Sequence, residues 1–73
     1  MERIEIGNDI CNGKPVIRGT RITVETVLGY LAAGDSVEAI LAVYPTLKRE
    51  DVLACLTYAR NVSHTHSTVL AVA

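Results

Sequence analysis

Apolar residues keep a helical period over three stretches of this chain of 73 residues. Val24, Val27, Leu28 and Leu31 stand at i, i+3, i+4 and i+7, which places them on one helical face. Thr23 fits the N-cap of that helix, Glu25 suits its first turn, and Gly34 fits the position just past its end. Val37, Ile40, Leu41 and Tyr44 form a second stripe, opened by Asp35 or Ser36 with Glu38 close to a capping box, and stopped by Pro45. A third helix is predicted over residues 47–60, with Thr46 as its candidate cap and Asn61 as its close. Glu50 and Asp51 near its start and Arg60 near its end complement the helix dipole. Val52, Leu56 and Ala59 are its expected core face, flanked by Leu53 and Cys55.

The two ends of the chain read differently. Arg3, Ile4, Glu5 and Ile6 alternate, as in a short strand with both isoleucines on one face. Gly7, Asn8 and Asp9 break it, and Asn12-Gly13 signals a turn. Pro15 holds Lys14 extended, and Val16, Ile17 and Arg18 fit a second short strand before Gly19. Strands this short need a partner, either each other or the same strand of a second copy. After Asn61 the helical period is lost, so residues 62–73 are expected to be an extended or frayed tail. The reading is a single mostly α, tri-helical domain over residues 1–61, with a short N-terminal strand and loop region. Its last two helices are joined by a short link, like a helix-turn-helix.

Composition narrows the class. With 49% hydrophobic residues the chain is too apolar to be disordered, yet no apolar run approaches the ~20 residues that span a bilayer. No membrane partner is expected. The opening MERIEIGND does not read as a secretory signal, so none is expected, and Cys11 and Cys55 are too few for a disulfide scaffold. Both are expected to be reduced thiols filling space in a cytoplasmic protein. A chain this short barely offsets its ordering entropy by burial, so a homodimer is expected.

Net charge is −1, but its distribution matters more. Lys14, Arg18 and Arg21 follow one another between residues 14 and 23 with no acid among them, whereas residues 24–47 carry only acids: Glu25, Asp35 and Glu38. The basic block, GKPVIRGTRITV, joins two glycines, a proline and Thr20 to three cations just before a helix. Lys14, Arg18, Thr20 and Arg21 are therefore the candidate residues for an anion or an acidic partner. The spacing is not that of a Walker A loop. The structural alternative is that the glycines allow turns while the cations pair with Glu25 and the acidic N-terminus. At least one of Arg18 and Arg21 is expected to be held by a carboxylate.

Other candidates are poorer. Cys11 with His64 or His66 has nothing to fix a nucleophile–base geometry, so no catalytic residue, metal or cofactor is assigned. His64 and His66 would lie on one side of an extended tail, without the further ligands a metal needs. Tyr30, Tyr44 and Tyr58 read as core and interface fillers rather than a base-stacking platform. Lys48 and Arg49 are candidate DNA contacts at the start of the third helix, but Glu50 and Asp51 follow them directly.

The segment Gly13 to Ile22 resembles the signature of domain-of-unknown-function family 433, small prokaryotic domains. Val24, Gly34, Ser36, Tyr44, Pro45, Leu47, Glu50, Asp51, Val52 and Tyr58 also fit its pattern, and the resemblance covers residues 3–60. Lys48 stands where the pattern usually has Thr or Ser. The resemblance implies a homeodomain-like helix-turn-helix fold. It also implies a VapB-like antitoxin of a PIN-like ribonuclease toxin. Operator DNA is kept as a second partner, because a dimer would present two copies of the basic loop. A stand-alone transcription regulator is the alternative, and a small phosphate-handling enzyme built on the loop is a weaker one.

Overall fold

The computed structural model describes residues 3–7 and 11–65. Strand β1 (Ile4–Glu5) pairs antiparallel with β2 (Val16–Ile17), Ile4 opposite Ile17 and Glu5 opposite Val16. Three helices follow: α1 (Val24–Ala32), α2 (Val37–Val43) and α3 (Arg49–Thr65). This is the mostly α, tri-helical fold expected, with its short strands paired inside the chain. Ile4 is buried in the core, whereas Ile6, beyond the end of β1, is 61% exposed, so the two isoleucines do not share a buried face.

Local chemistry sets the helix ends. The Thr23 hydroxyl accepts from the Thr26 N–H at 3.1 Å and the Ser36 hydroxyl from the Ala39 N–H at 3.1 Å, each satisfying an otherwise orphan donor. Ser36 rather than Asp35 is thus the cap of α2. Helix α1 ends in a Schellman motif: Gly34 takes φ +96°, its N–H reaches the Leu31 carbonyl, and Asp35 N–H reaches the Tyr30 carbonyl.

Helix α3 departs from expectation at both ends. Thr46 does not cap it. Lys48 holds the cap position, and Asp51 accepts the Lys48 N–H at 2.9 Å, which is one half of a capping box. Leu47 just before the cap and Val52 one turn in are both buried in the core, a hydrophobic staple. At the other end, Asn61 does not stop the helix, and residues 61–65 continue it rather than forming an extended tail. Neither Gly nor Pro interrupts them, and each residue added to a nucleated helix gains a hydrogen bond without needing an apolar contact. Lys48 has no hydroxyl for the other half of the box. Lys48→Thr should therefore raise stability by about 1 kcal/mol, read as a higher melting temperature; a lower one would show that the lysine side chain stabilises this end.

The core joins Ile4 and Ile17 of the strands to Val24, Val27, Ile40, Leu47, Val52, Ala54 and Cys55. Helix α3 is turned relative to the expected face: Asp51, Val52, Ala54 and Cys55 point inward, while Leu53 and Leu56 are 44% and 41% exposed. The carboxylate of Asp51 takes Arg3 Nη1 at 2.9 Å, with the Asp51 side chain only 12% exposed. That pair ties the residue before β1 to the first turn of α3, in the rotation that buries Val52, Ala54 and Cys55 and leaves Leu56 outside.

Candidate functional site

The basic block forms a closed loop between β2 and α1. Ile17 N–H donates to the Ile22 carbonyl at 2.9 Å, and Val16 bridges Thr23, so Arg18, Gly19, Thr20 and Arg21 lie at the tip. Thr20 N–H donates to the Ile17 carbonyl at 3.0 Å with Gly19 at φ +80°, the left-handed position a type II turn requires. The Thr20 hydroxyl completes the frame, donating to the Ile17 carbonyl at 2.7 Å and accepting the Ile22 N–H at 3.0 Å. The Cys11 thiol donates to the Arg21 carbonyl at 3.5 Å, so this cysteine braces the loop rather than filling the core.

The four candidate residues divide. The Thr20 hydroxyl is engaged within the loop. Lys14 lies across the start of α1, its ammonium 3.1 Å from Glu25, in a shallow depression shared with Cys11, Thr23 and Thr26. Glu5, Gly19, Thr20 and Arg21 line a second depression. Arg18 and Arg21 are exposed, and among the described residues neither meets a carboxylate. Of the acids expected to hold one of them, Glu25 is taken by Lys14, and the N-terminal Glu2 and Asp9 lie outside the described residues.

Arg18 also sits in a repulsive place. Its N–H donates to the Arg3 carbonyl at 2.8 Å, continuing the β1–β2 register so that the two arginines are cross-strand neighbours. Like charges so placed repel. Asp51 pairs with Arg3, whereas Arg18 has no acid beside it among the described residues. The pairing of Arg3 with a residue 48 positions away carried no local signal in the sequence.

The remaining candidates are placed as follows. Lys48 and Arg49 are exposed at the start of α3, where Arg49 Nη1 lies 3.7 Å from Glu38. His64 is exposed on α3, and His66 lies outside the described residues. No three His, Cys, Asp or Glu side chains gather to hold a metal among the described residues, and no helix there is long and apolar enough to cross a membrane. Tyr30 and Tyr44 meet edge to face with ring centroids 6.1 Å apart, half-buried at the α1–α2 junction.

Cys55 is fully buried, and burial, helped by the Asp51 charge, pushes its thiol up to about 11. The unfolded thiol ionises near 9.0, so the unfolded state loses its proton first as pH rises. The contribution of Cys55 to stability is complete below that pH and fades toward pH 11. The stability of the chain relative to Cys55→Ala should fall over this interval. A difference that stays flat would place the thiol in water.

Residues 4–59 match the model of DUF433, described as a protein of unknown function. An uncharacterized protein of Sinorhizobium fredii, y4eO, is 45% identical over 51 residues, which are 70% of this chain but 23% of that one. The chain thus spans less than a quarter of this relative. The crystal structure of a DUF433 member protein from Anabaena variabilis is 33% identical and superposes with a TM-score of 0.80, covering 94% of this chain and 68% of that one.

Proposed function

We propose the following for this chain, which belongs to the DUF433 family: it is an antitoxin-like binding protein that inhibits a PIN-like ribonuclease. One observation carries the reading. Arg18 and Arg21 are exposed and lack a carboxylate among the described residues, on a loop whose shape is built by Gly19, Thr20 and the backbone. A PIN-like nuclease gathers acidic side chains around its metal. The planar fork of an arginine binds a carboxylate bidentately and supplies positive charge where the metal would sit.

Duplex DNA is the second reading. Asp51 is turned into the protein, which leaves Glu50 as the exposed acid beside Lys48 and Arg49. Its footprint is poorer, because Arg49 already lies near Glu38.

The test is to co-express and purify the chain with a PIN-like ribonuclease and to titrate RNA cleavage. A stable complex and stoichiometric loss of cleavage are expected. Free proteins and undiminished cleavage would remove the reading.

A further inference from the structure

Helix α3 carries a second surface that the loop does not use. Arg49, Leu53, Leu56 and Arg60 recur at spacings of four, three and four, so they form one stripe along the helix, about 16 Å long at ~1.5 Å per residue. It runs along the exposed side of the helix, bordering the face of Val52 and Cys55 that is buried in the core. Leu53 and Leu56, 44% and 41% exposed, occupy its middle, with one arginine at each end. No acid shares the stripe. Asp51 is buried against Arg3, and Glu50 stands to one side. Arg60 has no carboxylate partner among the described residues, and Arg49 has only the long, exposed contact with Glu38.

The charge pattern decides what covers these leucines. A second copy packed antiparallel through the stripe would set Arg49 against Arg60 of its mate. A parallel copy would set each arginine against itself. Both arrangements press like charges together at the rim of an apolar contact, where such juxtaposition opposes association. Nucleic acid fits poorly as well, because the middle of the stripe offers leucines where a reading helix needs hydrogen-bonding groups. We propose that the outer stripe of α3 docks an amphipathic helix of a different protein, apolar in its middle and acidic at both ends. This surface stands independently of the loop.

The probes are two synthetic amphipathic peptides long enough to cover the stripe, both with leucines in the middle, one with glutamates at its ends and one with lysines. Fluorescence anisotropy with the full chain reads the binding. The glutamate peptide should bind at least about tenfold more tightly than the lysine peptide. Leu53→Asn with Leu56→Asn should weaken it about tenfold or more, whereas Arg18→Ala with Arg21→Ala should leave it unchanged. The last variant separates failure of this surface from failure of the loop reading. Both leucines are exposed, so the variants should fold, which circular dichroism checks. Arg49→Glu with Arg60→Glu should reverse the preference toward the lysine peptide. The proposal is overturned by no binding, by equal binding of both peptides, by binding indifferent to the leucines, or by a sedimenting dimer that Leu56→Asn dissolves. Tight, salt-sensitive binding of a short duplex that depends on Arg49 and Arg60 but not on the leucines would overturn it in favour of nucleic acid.

Discussion

Arg18→Ala combined with Arg21→Ala is expected to weaken inhibition of the nuclease by tens-fold or more while leaving the melting temperature unchanged or slightly higher. Losing one side of a desolvated charge pair at an interface costs about 2–5 kcal/mol, and ~1.4 kcal/mol is tenfold in affinity. The unchanged stability follows from the loop. Its hydrogen bonds belong to the backbone and to Thr20, and removing Arg18 relieves its repulsion with Arg3. Thr20→Val should behave in the opposite way. It removes both hydroxyl bonds and leaves the Ile22 N–H without its acceptor, so melting temperature and inhibition should fall together. A double arginine variant that melts early but inhibits normally per folded molecule would make the arginines structural.

Asp51→Ala should cost about 2–3 kcal/mol of stability, measured by urea or thermal unfolding. The carboxylate accepts Arg3 Nη1 at 2.9 Å and the Lys48 N–H at 2.9 Å. Breaking a buried ion pair commonly costs ~3–5 kcal/mol because the survivor keeps an uncompensated charge. Here the survivor is Arg3, whose side chain is 44% exposed and regains water, so the loss is smaller. The lost cap adds about 1 kcal/mol. Asp51→Asn keeps an acceptor for the Lys48 N–H and should lose about half as much. A change under ~0.5 kcal/mol for Asp51→Ala would mean that α3 is held by its apolar face alone.

Which features were legible follows the reach of each interaction. The caps at Thr23 and Ser36 and the Gly34 terminator act within a few residues, and the residue types alone point to them. The rotation of α3 goes with a contact between Asp51 and Arg3, far apart in sequence, so periodicity placed Leu56 in the core where the structure leaves it exposed. The end of α3 was hidden for another reason: residues 61–64 are all exposed, so no apolar period marks the helix they continue. In the candidate site, composition picked out the basic block. Which cation takes Glu25 depends on how the loop lies over the start of α1, and that left Arg18 and Arg21, not Lys14, available for a partner.

If an arginine of the loop supplies the charge of the nuclease's metal, metal and inhibitor compete for the same carboxylates. The direct measurement is the apparent inhibition constant as manganese is raised at constant ionic strength. The constant should climb in proportion to the metal once manganese exceeds its own affinity, and the double arginine variant should show no such climb. An inhibition constant indifferent to manganese would contradict the account and place the inhibitory contact away from the acidic site.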